Sequence, residues 1–512
     1  MIHHRIAPVF AVVGLSLSPM AVNGAPPNYL DVDVTIKKAL QGECVEVTAP
    51  GIAQPLVKAL NRGLFTRNKC ELDYKLEKVP GGFDVAFEVR NPTDSPQRRP
   101  AFNLHGIFMG RYLTYLDARD LGCLEEFELG KTNSEPATKT VAYRFNKAST
   151  YPNNYSPVAV LFNKSFAVGV SLIYSLPESK HWVGFRYSNY EHMQELLGHL
   201  RIEVDLYARR QGYMEPRGRT LLEPGGSDSY RIAVRFAEPD NWLDTLEPYR
   251  EFFKETYGEV SYEADLRPVY AVGTAQADLP SADNPRGYFP DTRLDLVGWR
   301  PLVERVKRQG IGNGFERVHV WSPSGLYRVG DNYPPEFMTE WLPKLVETLP
   351  VLHELRDQGM TLGAWWGRAG EVSGGWNTGS MWVLDPDDPK DIEFAFAEAK
   401  LAEERGFIEI GLDGWRFIPL WDRLEYMKRM KENFPTLRFI SEGNDPDIGH
   451  VLAPGYCGQD CGPPLLADWL NPGHESWRQL HPRKFTTLEQ VQQYIDWGLV
   501  PVIFGRAMKL GK

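Results

Sequence analysis

The chain has 512 residues, 42% of them hydrophobic and 24% charged, which excludes a disordered segment and gives enough length for two large domains. Its formal net charge of −10 excludes a general nucleic-acid binder, which needs a basic face. The 14 tryptophans serve either core packing or a flat ring surface offered to a ligand such as a sugar face.

Residues 1–24 read as a secretory signal. His3, His4 and Arg5 form a short basic start. An apolar run from Ile6 to Val22 follows, interrupted by Pro8 and Pro19, and Val22 and Gly24 are the small residues before Ala25. The run is too broken for a spanning helix, and no second apolar stretch of about 18 residues follows. The expectation is a secreted or periplasmic protein with no membrane contact once the leader is removed. The 5 cysteines fit an oxidising compartment. Cys457 with Cys461, and Cys44 with Cys70, are the candidate pairs, leaving Cys123 over. A zinc site at Cys457 and Cys461 lacks a second close pair of ligands.

Residues 25–240 alternate apolar and polar positions in short runs, at 83–89, 158–162, 166–172, 200–206 and 230–236, separated by turns such as Pro80-Gly81-Gly82 and Pro224-Gly225-Gly226. Period-two alternation with one buried face predicts antiparallel sheets, and so many strands predict a β-sandwich domain. Residues 241–257 place Trp242, Leu246, Tyr249 and Phe253 on one helical stripe, a helical linker over 241–262.

From 263 to 512 the rhythm becomes strand then helix. Strands are predicted at 268–274, 317–322, 361–367, 407–413, 438–443, 465–470 and 499–505, and helices at 297–309, 335–358, 389–405, 421–434 and 486–497. This is the length and order of a (β/α)8 TIM-type barrel, so the fold class is multi-domain β plus α/β. The missing eighth strand is expected within 444–464, near His450-Val451-Leu452. The open doubly wound alternative lacks its Gly-rich dinucleotide fingerprint.

Functional side chains of such barrels sit at the C-terminal ends of strands. Two adjacent predicted strands run from apolar residues straight into an acid: Ile410-Gly411-Leu412-Asp413-Gly414 and Phe439-Ile440-Ser441-Glu442-Gly443. A strand-end carboxylate can merely cap the next helix, but two in adjacent strands make the pair that glycoside cleavage needs, one to attack or stabilise the anomeric carbon and one to protonate the leaving oxygen. Arg416 is expected to keep Asp413 ionised, while Glu442 keeps its proton. Asp468, ending the run at 465–470, is the alternative acid. Trp321, Trp366, Arg368, Trp415, Arg416, His474, Glu475 and Arg506 follow or close strands and are the candidate sugar-binding residues. Of the adjacent Trp365 and Trp366 only one can face the site, and Trp366 is assigned there. Asp388 and Pro389 read as a helix start, and no metal or other cofactor is expected, since no zinc helix, phosphate loop or nucleophile elbow occurs.

The strands at 407–413 and 438–443 resemble the retaining α-glycosidases, both the α-amylase-like group and the endo-α-N-acetylgalactosaminidases. In that resemblance a nucleophilic Asp ends strand four and an acid/base Glu ends strand five, the positions of Asp413 and Glu442. Leu384-Asp385-Pro386, Glu404-Arg405-Gly406-Phe407 and Leu362-Gly363-Ala364-Trp365 also resemble α-galactosidase-like barrels, in which the acid is an Asp ending strand six, here Asp468. Gly411 is a departure: the first group carries Arg there and many of the second carry Lys. The resemblance implies a carbohydrate partner and a retaining hydrolase for α-linked sugars. The alternatives are a carbohydrate-binding protein with an inactive barrel, and a metal-dependent deacetylase or lyase. The second of these is disfavoured by 11 histidines with no close pairing outside the leader.

Overall fold

The structure, a computed structural model, describes residues 26–39, 42–52, 56–65, 69–98, 101–108, 114–119, 123–128, 146–151, 154–162, 165–175, 180–188, 199–207, 221–273, 306–321, 349–366, 384–413, 420–442, 446–457, 463–480 and 487–504, with 304, 415 and 418. The leader lies outside them.

Fourteen strands come first: β1 (Asp33–Ala39), β2 (Gly42–Thr48), β3 (Val57–Phe65), β4 (Glu71–Val79), β5 (Gly82–Arg90), β6 (Ala101–Phe108), β7 (Thr114–Arg119), β8 (Cys123–Glu128), β9 (Asn146–Tyr151), β10 (Val158–Phe162), β11 (Ala167–Ile173), β12 (Lys180–Ser188), β13 (His199–Tyr207) and β14 (Ser227–Ala237). They form two antiparallel seven-stranded sheets, ordered β1-β2-β3-β6-β13-β12-β9 and β4-β5-β14-β11-β10-β7-β8. The alternation seen in the sequence has its cause here. Phe83, Val85, Phe87 and Val89 of β5 and Ile232, Val234 and Phe236 of β14 point into one buried cluster with Val45, Val47, Val168 and Val170, each contributing about 1.5–3 kcal/mol. The expected Cys44–Cys70 bond is not formed. Cys44 lies in β2 of one sheet, while the Cys70 thiol, just before β4 of the other, donates to the Arg98 carbonyl at 3.6 Å. Cys461 falls outside the described residues.

The single helix expected at 241–257 is two pieces, a 3-10 stretch Pro239–Leu246 and the α-helix α1 (Glu247–Tyr257). Trp242, Leu246, Tyr249 and Phe253 share a buried cluster with Tyr155, Val158 and Val160 of the sandwich and with Leu420, Ile448, Leu466 and Trp469 of the following domain. The linker is therefore the hydrophobic core of the joint.

Eight parallel strands then close into a barrel: β15 (Val269–Gly273), β16 (Arg317–Trp321), β17 (Thr361–Trp366), β18 (Glu409–Leu412), β19 (Arg438–Glu442), β20 (Gly455–Cys457), β21 (Ser476–Gln479) and β22 (Val500–Phe504). Val269 of β15 pairs with Val502 of β22 and completes the ring. Described helices around it are α2 (Leu349–Asp357), α3 (Pro389–Glu404), α4 (Leu420–Asn433), α5 (Asp447–Leu452), α6 (Leu465–Leu470) and α7 (Leu488–Asp496). Asp388 caps α3 by accepting from the Lys390 N–H at 2.9 Å, and Thr487 and Gln490 form a capping box at α7.

Two strand assignments are corrected. Residues 465–470 form the helix α6, not strand six. A six-residue apolar run is buried equally well by either element when both its faces meet protein, and here they meet the sandwich joint. His450-Val451-Leu452 likewise belongs to α5, and the strand within 444–464 is Gly455–Cys457. Strand seven, Ser476–Gln479, is not among the predicted strands, since its sequence, Ser-Trp-Arg-Gln, carries no apolar run.

Candidate active site at the barrel mouth

Alternate residues of each barrel strand enter the lumen. At the N-terminal end these are charged. Arg317 Nη2 donates to Glu409 Oε1 at 2.8 Å and to Glu475 Oε1 at 3.2 Å. Arg438 reaches Glu409 at 3.4 Å and also donates to Glu475. His319 Nε2 lies 3.0 Å from Glu409, the Trp477 indole N–H donates to Glu475, and the Arg317 guanidinium lies 4.9 Å over the Trp477 ring. Burial alone would raise the Glu409 carboxyl; the His319 hydrogen bond and the Arg317 charge outweigh it and lower the group to about 2. Burial holds His319 below the usual imidazole value. This layer is a plug of matched charges.

Above it the lumen is filled by aromatic rings set against glycines. A Cβ on Gly363 would lie 1.9 Å from the His319 ring, and one on Gly411 would lie 2.4 Å from the Trp365 indole. Trp365 therefore enters the lumen, packing with Val269, Ile440, Tyr456 and Trp477. Trp366 faces the helix layer beside Phe394, which reverses the expected assignment. The departure at Gly411 has the same cause: a long cation there would occupy the space of the indole. Trp365 meets Tyr456 edge-on, with centroids 5.2 Å apart.

The mouth is reached one residue further up. Glu409 and Gly411 define the inward register of β18, and the Asp413 N–H continues the ladder by bonding the Trp366 carbonyl at 3.1 Å, so Asp413 occupies the next inward position. Arg438 and Ile440 define the same register in β19, and Glu442 is its end. Both acids are half-buried. Glu442 pairs in register with Tyr456 of β20. The Tyr456 hydroxyl donates to Gln479 Oε1 at 2.7 Å. Burial raises this phenol well above the usual tyrosine value, and the charges of Glu442, Cys457 and Asp413 push it further. One phenol thus feels both strand-end acids.

The other candidates are distributed differently. Trp415 is buried in the helix layer against Tyr426. Trp321 ends β16 in register with Gly273; its side chain, with Arg368, Arg416 and Arg506, lies outside the described residues. His474 and Glu475 precede β21 instead of following a strand, which puts them at the opposite end of the barrel from the mouth. Asp468 lies in α6 of the outer layer, bonded to His474 Nε2 at 2.8 Å. From there contacts run inward: His474 Nδ1 to Ser476 Oγ at 2.9 Å, Ser476 Oγ to His450 Nε2 at 3.2 Å, His450 Nδ1 to the Tyr155 hydroxyl at 2.8 Å, and Asn471 Nδ2 to that hydroxyl at 2.8 Å. Tyr456, Gln479 and Trp365 are the mouth residues that the strand-end pattern did not select. The Gly411 departure was the available signal for Trp365; the other two sit on strands six and seven, which the apolar pattern did not reveal. Among the described residues no group of three or more His, Cys, Asp or Glu is arranged to hold a metal ion, and no helix is long and apolar enough to cross a membrane.

No protein-family model matches the chain, and no curated protein matches it. Solved structures similar to it include glycoside hydrolases. An α-galactosidase from Thermus thermophilus in complex with p-nitrophenyl α-D-galactopyranoside is 11% identical, with 87% of this chain and 79% of that chain covered and a TM-score of 0.40. A β-arabinopyranosidase is 12% identical, covering 84% and 69% with a TM-score of 0.36. An α-amylase from Geobacillus thermoleovorans complexed with acarbose is 13% identical, covering 48% and 71% with a TM-score of 0.30.

Proposed function

We propose that the chain is a glycoside hydrolase, exported by its leader, that cleaves α-linked oligo- or polysaccharide with retention. Asp413 attacks the anomeric carbon. Glu442 protonates the leaving oxygen and then activates water. The observation that carries this reading is the shared register: two carboxylates end neighbouring strands on the inward face of the barrel mouth, and both act on the Tyr456 phenol. A pair held on rigid strands, half open to solvent, suits acid/base and nucleophilic work on a bound sugar.

The test is a release assay. The purified exported chain is incubated with α- and β-linked aryl glycosides and with bacterial and algal polysaccharides, beside Asp413→Asn and Glu442→Gln. The expected result is turnover of an α-glycoside, lost by roughly three orders of magnitude in each variant, with the first product in the α configuration by NMR. Activity that survives Glu442→Gln overturns the assignment of the acid. Binding of a polysaccharide without turnover, retained by both variants, overturns the hydrolase in favour of a capture protein.

A further inference from the structure

Gln479 ends β21, and the protein uses only one side of its amide. The Tyr456 hydroxyl donates to Gln479 Oε1 at 2.7 Å, a length typical of O–H···O and short for N–H···O. Burial raises the Tyr456 phenol well above the usual tyrosine value, so the phenol keeps its proton and needs an acceptor. The amide oxygen therefore faces the phenol and the amide nitrogen faces away from it. A primary amide nitrogen carries two N–H donors. Those of Gln479 bond no protein group among the described residues, and the nitrogen is open to solvent on a half-buried side chain. Trp477, one inward step below, is fully buried, so the open side is the mouth.

The strand register sets the height of this amide. Glu442 pairs with Tyr456, and Tyr456 with Trp477. In a closed barrel of eight parallel strands the ladder drops by about one residue per strand along the barrel axis. Two strands on from Glu442, the inward residue at its level is therefore Gln479, two residues above Trp477. Asp413 and Glu442 lie at the same mouth and would repel an anion. Two free neutral donors there suit a neutral acceptor, and the hydroxyl oxygen of a sugar is one.

Resting on the hydrolase reading above, we infer that Gln479 is a specificity-determining residue of the barrel mouth. Its amide nitrogen donates to a hydroxyl oxygen of the sugar ring whose anomeric carbon Asp413 attacks. Tyr456 is the positioning residue that holds the amide in this orientation. A sugar lacking that hydroxyl leaves the two N–H groups without an acceptor once it has displaced water from the mouth.

Two variants test this. Gln479→Met removes the amide, and Gln479→Glu keeps an acceptor for Tyr456 but removes both N–H donors. For wild type and variants, kcat/KM is measured with the aryl α-glycoside that turns over best and with its analogues lacking one ring hydroxyl each. The wild type is expected to lose about tenfold or more on removal of one particular hydroxyl. Both variants are expected to lose that discrimination and to rank the other analogues as the wild type does. An equal loss across all analogues, as a merely structural role would give, overturns the inference. A second readout uses the wild-type protein. Nitrogen-15 NMR on chain labelled at glutamine side chains follows the Gln479 amide pair, assigned by its loss in whichever variant folds, during titration with methyl α-glycosides. One N–H of the pair is expected to shift on binding. A glycoside that moves other signals and leaves this pair in place overturns the inference alone. If a methyl α-glycoside binds but nothing is hydrolysed, the hydrolase reading fails and the Gln479 pair still decides whether the amide meets the sugar. If nothing is hydrolysed and nothing binds, both fail.

Discussion

At the N-terminal end of the barrel, Glu409 and Glu475 are buried and each meets Arg317 and Arg438. At the C-terminal end, Asp413 and Glu442 are half-buried and converge on the neutral Tyr456. Both ends draw a carboxylate from the line of β18: Glu409 and Asp413 are separated on its inward face only by Gly411. What separates them is how each charge is compensated. The lower acids are satisfied within the protein by buried ion pairs. The upper acids keep part of their surface open to solvent, where a bound molecule can reach them. Position along a barrel strand therefore separates acids closed off within the protein from acids that a bound molecule can reach.

Substitutions should separate the ends. Asp413→Asn is expected to cost roughly three orders of magnitude in kcat/KM while leaving the urea midpoint close to that of the wild type. At the other end, Arg317→Met leaves two buried carboxylates, Glu409 and Glu475, sharing Arg438 alone of the two arginines, and is expected to destabilise by up to about 3–5 kcal/mol, measured by urea unfolding, with activity per folded molecule little changed. Gly411→Ala lies between. A Cβ 2.4 Å from the Trp365 ring forces the indole to shift, costing about 1–3 kcal/mol, and it should lower activity as well because that indole supports Tyr456. Thr487→Ala in the capping box of α7 is expected to cost about 1 kcal/mol and to leave turnover unchanged.

The plug also fixes the acid side of the stability curve. Burial raises the Glu409 carboxyl, but the His319 hydrogen bond and Arg317 charge win and hold it at about 2, below the 4.5 of an unperturbed group. Its contribution is complete above the unfolded value and is lost as pH falls from about 4.5 towards 2. Thermal melts across that window should show a steep loss in the wild type and a shallower one in Glu409→Gln.

The upper acids were legible in the sequence and the plug was not, for a physical reason. Asp413 and Glu442 stand where an apolar run stops, a contrast that a hydropathy pattern detects. Glu409 and Glu475 stand where strands begin, next to turns in which charged residues are ordinary, and only Arg317 and His319 at alternate positions of an otherwise apolar strand betray a polar lumen. The sandwich alternation was readable because one face of each strand is dry. Strands β20 and β21 were not readable, because three- and four-residue strands of Gly-Tyr-Cys and Ser-Trp-Arg-Gln show no period. Pairing with each other, and with β19 on one side and β22 on the other, makes them strands. Parity alone gives no origin by which to choose between Trp365 and Trp366; the space left by Gly411 supplies one.

The contacts from Asn471 to Asp468 across the domain joint have a direction. Asn471 donates to the Tyr155 oxygen, so the tyrosine proton goes on to His450 Nδ1. His450 must then carry its proton on Nε2 and give it to Ser476, whose own proton passes to His474 Nδ1, and His474 Nε2–H ends on the Asp468 carboxylate. Each donor has one acceptor, and burial, with the neighbouring His474 and Arg478, holds His450 well below the usual imidazole value. A proton added to His450 would set two donors face to face. Sandwich and barrel are thus fastened by a one-way relay, four of whose five links are uncharged, which salt leaves largely alone and acid jams.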